Sequence, residues 1–362
     1  MSETTQVPRF FRRANDVRKV RSKAPLRLGL AGGGTDVSPY SEEFGGSVLN
    51  ATIDMYAYCT VEVLPDDRVE FIAKDLDRRF EADLAVNYPP EGPLMLHKAV
   101  YNRIVRDHTN GRPLPLRITT YSDAPPGSGL GTSSTMVVSI VAALRELLKL
   151  PLGEYDLAHL AYEIEREDVQ LAGGKQDQYA AAFGGFNFME FFGDRVIINP
   201  LRIRENIVNE LHARMLLYFT GNSRDSGSII KDQVLAVREQ GGKSVDSMHE
   251  IKRIAYEMKE RLLKNDVAGV TRLFSESWNA KKKMANSISN THIDEVAERA
   301  LASGAEAVKI SGAGGGGFMM ILVDPETKFE VIRALTPMAS QSSRDYFVKF
   351  AFVAEGVRSW AL

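Results

Sequence analysis

The stretch that decides the fold is DAPPGSGLGTSSTMVVSIVAALRELLKL, residues 123–150. Three glycines at alternate positions, Gly127 to Gly131, lead into four hydroxyl residues, and an apolar pattern at helical spacing follows until Pro151. The spacing predicts a helix over 133–149, whose first turn has unpaired backbone N–H groups and a partial positive charge. Glycines before such a helix let the backbone approach an anion, so we interpret the loop as an anion site. The competing interpretation, a serine cap that only stabilises the helix, requires fewer glycines.

The rest of the chain mixes strands and helices without a regular βαβ rhythm. We therefore expect an α+β protein with a soft boundary between residues 195 and 210. The patterns predict strands within residues 24–33, 58–65, 114–123, 183–192 and 212–221, and a strand, glycine turn and strand within 305–324. They predict helices over 133–149, 153–174, 227–240 and 245–283.

Composition excludes several classes of protein. The 362 residues include 45 basic and 47 acidic side chains, so no global field attracts nucleic acid or an anionic membrane, and a phosphate must be captured locally. The single Cys59 excludes an internal disulfide and is consistent with a reducing compartment. We expect a cytoplasmic protein, because we find neither a membrane-length apolar run nor a signal-peptide core. We interpret the basic residues 1–20 as an extension over the surface, with a transit peptide or a nucleic-acid arm as alternatives.

Three glycine-rich segments resemble one known family. PPGSGLGTSST, residues 125–135, is similar to the central motif P-x-x-x-G-L-G-S-S-[AS] of the GHMP kinases (galacto-, homoserine, mevalonate and phosphomevalonate kinases), with Thr132 in place of the first serine. SKAPLRLGLAGGGTD, residues 22–36, is similar to the N-terminal motif. KISGAGGGGFMMILV, residues 309–323, matches the C-terminal motif K-x-[ST]-G-[AS]-G-x-G-G. One such loop is weak evidence, whereas three of distinct design in the family's order are strong evidence.

The resemblance implies a fold and a nucleotide. It implies the two-domain GHMP kinase fold, with an N-terminal ribosomal-protein-S5-like α/β domain and a C-terminal ferredoxin-like α+β domain. We expect the extension over residues 1–20, the ATP-binding domain over 21–200 and the C-terminal domain over 201–362. ATP is bound by the central loop, residues Pro126, Gly127, Ser128, Gly129, Leu130, Gly131, Thr132, Ser133 and Ser134.

Two residues are candidates for catalysis. Asp177, in GGKQDQYAAAFGG, follows a glycine turn at a predicted helix start, where an acid also favours the helix dipole. The segment resembles the galactokinase segment G-x-x-D-Q, whose aspartate contacts the hydroxyl that is phosphorylated. Arg27 occupies the position of the family's catalytic Arg or Lys, although Leu26 replaces the usual glycine. Such a cation stabilises an adjacent carboxylate and a transferring phosphoryl group.

The resemblance also implies a Mg²⁺ site. The family uses a serine of the loop, here Ser134, and a glutamate on the helix before the catalytic aspartate. Glu163, Glu165 and Glu167 lie on that helix, and 163 and 167 share a face that 165 does not. The spacing from the aspartate in galactokinases selects Glu165. The alternative, a solvated acidic face, fits the other two.

The acceptor is indicated by residues that diverge within the family. Gly33 and Gly34 replace the Glu-His of galactokinases, which makes room for a larger acceptor, and Thr35 and Asp36 could bind sugar hydroxyls. RLGLAGGGTD, LYFTGNSRDSGSII and the segment around Asp177 look like those of the bacterial D-glycero-α-D-manno-heptose 7-phosphate kinases. That resemblance implies phosphorylation of the anomeric hydroxyl on the route to GDP-linked heptose.

A phosphorylated acceptor requires a second anion site. Candidates are Lys175, Arg224 in GNSRDSGS and the lysine run 281–283, although a lysine run is more often a solvated helix face. The resemblance places Gly314 at the substrate. The alternatives are a 1-kinase of an unphosphorylated sugar such as fucose or mannose, and a catalytically silent regulator that binds nucleotide and sugar. We expect no nucleic-acid or membrane partner, and a homodimer stays open.

Overall fold

Two antiparallel-rich sheets organise the molecule. A computed structural model describes residues 19–193, 195–221, 226–239, 242–339 and 347–362. The strands of the first sheet are β1 (Lys19–Ala31), β2 (Gly46–Val63), β3 (Arg68–Ala73), β4 (Arg78–Asp83), β5 (Leu116–Ser122), β6 (Phe186–Phe192), β7 (Arg195–Pro200) and β12 (Arg358–Ala361). They lie in the order β12-β1-β2-β5-β3-β4, and β6 pairs with both β2 and β7.

The second sheet has four antiparallel strands in the order β11-β8-β10-β9. They are β8 (Met215–Phe219), β9 (Ala305–Ile310), β10 (Phe318–Val323) and β11 (Phe347–Val348). Eleven of the described strands thus follow the predicted division near residue 200, but β12 lies at the end of the chain and pairs with β1, so that Val20 faces Ala361. The domain ranges 21–200 and 201–362 stay a prediction.

Helices cover both sheets. They are α1 (Tyr40–Glu43), α2 (Met95–His108), α3 (Thr132–Leu148), α4 (Glu154–Glu163), α5 (Gln176–Phe183), α6 (Glu205–Arg214), α7 (Ser226–Glu239), α8 (Gly242–Leu263), α9 (Val267–Lys282), α10 (Thr291–Ala302) and α11 (Lys328–Ala339), with a short 3-10 turn at Asn286–Ile288. The mixture confirms the predicted α+β class. The residues 1–18 of the predicted extension lie outside the described residues.

Strands β1 and β2 contribute to two hydrophobic cores. Leu26 and Leu28 pack with the second sheet, α8 and α9, whereas Val20 and Ala24 pack with α2 to α5 on the other side. All four positions are even, so period-two alternation alone would place these side chains on one face of the sheet. The pairing of β1 with β2 has a register shift between Pro25 and Arg27, and this irregularity separates the two groups. The segment from Arg27 onward therefore lies where the two cores meet, and this junction positions the site.

Two helix predictions are wrong in their bounds. The helix predicted over 245–283 is two helices, because Asn265 has a φ of 61° and the Asp266 side chain caps α9 by accepting from Gly269 N at 2.8 Å. The helix predicted over 153–174 ends as an α-helix at Glu163. A π-helical turn, Ile164–Asp168, continues it, and this turn changes which side chains face inward.

Candidate active site

The glycine loop connects β5 to α3 and opens onto a cavity. Gly127, Gly129 and Gly131 have φ values of 72°, 79° and 77°, a region that favours glycine. Gly131 is the residue before α3, so the unpaired N–H groups of this long buried helix begin at the loop. The loop therefore has the local geometry that the sequence predicts for an anion site.

The cavity has a volume of about 630 Å³, within the usual range for ligand sites. The loop residues on its wall are Pro126, Gly127, Gly129, Gly131, Thr132, Ser133 and Ser134. The side chains of Ser128 and Leu130 are buried in the protein instead, and Ser128 Oγ lies 3.1 Å from Thr132 Oγ1. These two predicted ATP-binding residues thus support the loop from behind.

Arg27 and Asp177 form an ion pair beside the loop. Arg27 Nε donates to Asp177 Oδ1 at 2.7 Å, and the side chains are 4% and 23% exposed. Nη1 of the arginine donates to Gly129 O and, at 3.3 Å, to Ser311 Oγ. Asp177 lies in the first turn of α5, as predicted, and faces Gly131. The arginine thus fixes the carboxylate against the glycine loop, although Leu26 replaces the family's glycine.

Glu165 lies at the cavity wall with Ser134. Ser134 Oγ donates to Glu165 Oε1 at 3.0 Å, and Gln178 Nε2 donates to Oε2 at 2.5 Å. The glutamate is only 1% exposed, and this burial raises the pKa of its carboxyl. A buried carboxylate beside a hydroxyl has the hard oxygen donors that Mg²⁺ prefers.

The neighbouring glutamates face elsewhere. Arg103 Nη1 donates to Glu163 Oε2 at 3.0 Å, and its Nη2 lies 3.9 Å from Glu167 Oε2. Arg103 is also paired with Asp168, whose Oδ2 accepts from Nε at 2.8 Å. The π-helical turn therefore sorts the three glutamates predicted for this helix, with 163 and 167 around one arginine and 165 in the cavity.

Asp36 holds two segments of the cavity wall together. Its Oδ2 accepts from the backbone N–H groups of Lys175 and Gln176 at 3.0 and 3.1 Å, and its Oδ1 accepts from Gly34 N and Gln176 Nε2 at 3.1 and 3.2 Å. This carboxylate lies on the cavity wall and orients the start of α5, next to Asp177. It is already bound by four protein donors.

Three other predicted substrate residues point away from the cavity or pack beneath it. Thr35 is fully buried, and its hydroxyl donates to Gly32 O at 2.8 Å. Lys175 Nζ donates to Gly193 O and lies 5.4 Å from the Tyr162 ring. Gly314 packs on Ile288, whereas its neighbours Gly312 and Ala313 line the cavity. Thr35, Lys175 and Gly314 thus contact protein groups and do not line the cavity, and their binding of substrate stays a prediction.

The remaining predicted substrate residues differ in position. Gly34 lines the cavity. Gly33, the residue before Gly34 in the chain, is partly exposed. Arg224 lies outside the described residues, so its role stays a prediction.

Lys281 differs in position from the two lysines that follow it. Lys281 lines the cavity and is buried, whereas Lys282 and Lys283 are exposed, as expected for a solvated face. A signal was present, because Lys281 continues the buried stripe of α9 that includes Val270, Phe274 and Trp278 at spacings of three and four residues. A run of three lysines taken as one unit does not show this difference between a buried and two exposed side chains.

Part of the cavity wall is apolar and neutral. Leu94, Leu96 and Met136 line it together with His97 and Thr120. His97 Nε2 lies 2.8 Å from Thr120 Oγ1, and burial lowers the pKa of His97 to about 4, so the imidazole is uncharged near neutral pH. Sequence patterns gave no signal for these residues. The cavity wall therefore combines the charged groups near Asp177 with apolar side chains.

Within the described residues, no helix has both the length and the apolar character needed to span a membrane. The same residues contain no cluster of three or more His, Cys, Asp or Glu side chains suited to an all-protein metal site. Mg²⁺ sites that rely on substrate phosphates need only one or two carboxylates.

Known proteins resemble this chain along its length. Models of the GHMP kinases N terminal domain and of the GHMP kinases C terminal match residues 95–185 and 258–338. A D-glycero-alpha-D-manno-heptose 7-phosphate kinase of Campylobacter jejuni is 45% identical over 347 residues, covering 96% of this chain and all of the relative.

Solved structures agree with this similarity. A protein from Bacteroides thetaiotaomicron, described as a D-glycero-D-manno-heptose 1-phosphate kinase, is 46% identical with a TM-score of 0.80 and covers 95% of this chain and 99% of its own. A structure described as a putative sugar kinase from Campylobacter jejuni is 44% identical with a TM-score of 0.79 and covers 96% of this chain and 100% of its own. These matches confirm the predicted two-domain fold. The chain therefore belongs to the GHMP kinase family.

Proposed function

We propose that the protein transfers the γ-phosphoryl group of ATP to the anomeric hydroxyl of D-glycero-D-manno-heptose 7-phosphate, giving the 1,7-bisphosphate. The observation that carries this proposal is the ion pair of Arg27 and Asp177 beside the glycine loop in one cavity. The name of the Campylobacter jejuni relative, which is 45% identical, supports the acceptor. The Bacteroides relative is named for a heptose 1-phosphate, so the position of the acceptor's phosphate requires a direct test.

The geometry of the cavity accounts for the transfer of the γ-phosphoryl group. The anomeric oxygen attacks the γ-phosphorus, the bond from phosphorus to the β,γ-bridging oxygen breaks, and ADP leaves. The hydroxyl proton passes to Asp177, which Arg27 holds in place through the 2.7 Å bond. Backbone N–H groups at the start of α3 stabilise the phosphate charge. Catalysis is then mainly positioning and charge stabilisation.

Ser134 and Glu165 would hold Mg²⁺. The carboxylate is buried without a basic side chain bonded to it among the described residues, and the hydroxyl lies 3.0 Å away, so the pair fits a hard cation. When bound, the ion neutralises phosphate charge as the phosphoryl group is transferred. Ser134 also belongs to the glycine loop, which places this pair beside the proposed phosphate site.

The second candidate is a kinase of an unphosphorylated sugar. A bifunctional fucokinase/GDP-fucose pyrophosphorylase of Arabidopsis thaliana is 27% identical over 87% of this chain, although this chain covers only 31% of that protein. Lys175, one predicted phosphate ligand, binds Gly193 O and does not line the cavity. The silent regulator is disfavoured because a binding protein has no need of the Arg27–Asp177 pair.

We place the reaction in the cytoplasm, where its product would enter the synthesis of GDP-linked heptose. The support is indirect. Cys59 is a buried free thiol, as expected in a reducing compartment. The homodimer stays a prediction.

Turnover on a panel of sugars tests the proposal. Purified protein with Mg·ATP is given heptose 7-phosphate, heptose 1-phosphate, the free heptose, fucose, mannose and galactose, and ADP formation is followed. We expect heptose 7-phosphate to be the preferred acceptor and Asp177→Asn to lower kcat about 1,000-fold, because the proton acceptor is lost. ATP affinity and Tm are measured for both proteins as controls. Preference for a neutral sugar would contradict the acceptor, and full activity of Asp177→Asn would contradict the mechanism.

A further inference from the structure

Lys281 is a buried cation on the cavity wall that the mechanism above leaves unused. Its side chain is 4% exposed, and α9 presents it on the same stripe as the buried Trp278. Lysine is rarely buried to this degree without a charged partner, because removing an ammonium from water is costly. Among the described residues, no carboxylate lies within salt-bridge distance of Lys281. A structural role alone does not offset this unfavourable burial of a charge.

The contacts of Lys281 place it next to the reacting groups. Its Nζ donates to Gly312 O, and Gly312 packs so closely on the glycine loop that an added Cβ would lie 2.8 Å from Gly129 Cα. Gly129 O in turn accepts from Arg27, which holds Asp177. One short chain of contacts thus joins Lys281 to the proposed base.

Arg27 has little capacity left for a ligand. Nε and Nη1 of its guanidinium are bound to Asp177, Gly129 O and Ser311, and within the described part of the chain only Nη2 lacks a protein partner. Lys281 has three N–H donors, and Gly312 O is the one acceptor that the described residues supply. The ammonium therefore has more free donors for phosphate oxygens than the arginine.

We propose that Lys281 is a second catalytic cation, whose ammonium binds the phosphoryl group during its transfer while Arg27 holds Asp177. This inference rests on the proposed function and adds the residue that receives the γ-phosphate on the side of the cavity formed by α9 and Gly312. A phosphate oxygen replaces the missing carboxylate and compensates for the burial of the ammonium. Charge stabilisation by such a cation is strongest in a desolvated site.

The charges around Lys281 give the proposal a pH signature. Burial and, next, the charge of Arg27 on β1 lower the pKa of Lys281 to about 8, while Asp36 and Asp177 oppose that shift. Lys309 on β9 is a further basic group nearby, and its Nζ donates to Gly29 O and Leu30 O at 3.0 and 2.6 Å. Burial lowers the pKa of this lysine well below its ordinary value. Because the protonated form of Lys281 is the active one, kcat/KM falls as pH rises through about 8.

The test compares Lys281→Met with Lys282→Met. Both changes remove one ammonium at the end of α9, but the Lys282 side chain is 38% exposed and lies 3.7 Å from Asp294. We expect Lys281→Met to lower kcat about 100-fold on the acceptor that the wild type prefers and to abolish the alkaline fall of kcat/KM. We expect Lys282→Met to stay within twofold of wild type. Tm should not decrease in Lys281→Met, since an apolar chain replaces a buried charge.

A binding measurement separates this proposal from the identity of the acceptor. Calorimetry without sugar should show weaker binding of AMPPNP to Lys281→Met, by about tenfold, and unchanged binding of ADP, because only the former has a γ-phosphoryl group. Equal affinities of wild type and variant for AMPPNP would overturn the proposal whatever sugar is used. So would a loss confined to the KM of a phosphorylated acceptor, which would assign Lys281 to that phosphate. A lower Tm with equal weakening of both nucleotides would assign it to structure.

Discussion

The two glycine-rich turns of this protein, residues 127–131 and 312–317, use glycine for different reasons. The first turn leads into a helix and lines the cavity, and its glycines supply positive φ values in front of unpaired N–H groups. The second turn joins β9 to β10 and packs against the first. A Cβ on Gly317 would overlap Ser128 O, and Phe318 N donates to that oxygen at 2.9 Å.

This difference shows that similar compositions can have opposite tasks. The first turn is open on the side that faces the cavity, so its backbone can bind a ligand. The second turn meets the first at Gly312 and Gly317, so these two glycines permit the two backbones to approach. The contacts of the second turn with Ser128 and Gly129 indicate that it supports the first turn.

The largest expected effect is on the side of the first turn that faces the cavity. Glu165→Gln removes the charge of the proposed metal ligand but keeps its shape, and we expect kcat to fall about 100-fold at ordinary Mg²⁺ concentrations. Because burial raises the pKa of this carboxyl, its ionised form destabilises the fold increasingly as pH rises above the unfolded value. The free energy of unfolding of the variant should therefore equal or exceed that of wild type at pH 7, measured in urea.

Glu163→Gln is the matched control for that prediction. Glu163 lies two residues away but binds Arg103, so its loss should leave the dependence of rate on Mg²⁺ unchanged. If both variants shifted that dependence equally, the distinction between the cavity-facing glutamate and its neighbours would be untenable.

A moderate effect is expected at the second turn. Gly312→Ala combines a φ of 74° with a collision against Gly129, so we expect a loss of roughly 3 kcal/mol in the free energy of unfolding. Gly111→Ala is the control, because Gly111 has a φ of 71° with no atom within 4 Å of the added Cβ, and should lose only about 1 kcal/mol. Equal losses of the free energy of unfolding, measured in urea for the two variants, would mean that the close approach of Gly312 to Gly129 makes no contribution.

The smallest effect is expected where this chain departs from the family motif. Thr132→Ser restores the usual serine of the first turn and keeps the hydroxyl, which lies 3.1 Å from Ser128 Oγ. We expect kcat and the KM for ATP to stay within about twofold of wild type, since only a methyl group is removed. A tenfold change in either constant would show that the shape of this position matters as well as its hydroxyl.

Much of the fold could be predicted because it depends on local patterns. The period of apolar residues identified α3 and most strands, and the three glycine motifs identified the family. The patterns failed at residues 264–266, where an apolar stripe resumes after a break. They also failed after Glu163, where a π-helical turn replaces α-helical geometry without a clear signal.

The sequence by itself determined the loop proposed to bind an anion, the order of the three motifs and the pair Arg27 and Asp177 as candidates. Only the tertiary structure decided what depends on distant contacts. Arg27 and Asp177 are 150 residues apart, and Lys281 and Gly312 are 31 apart, yet each pair is in hydrogen-bond contact. The π-helical turn placed Glu165, which the family spacing also selects, on the cavity wall, and the packing of α9 buried Lys281 but not the two lysines that follow it. Periodicity describes which face of an element is buried, whereas the partner that meets a buried polar group is set by elements far away in the chain.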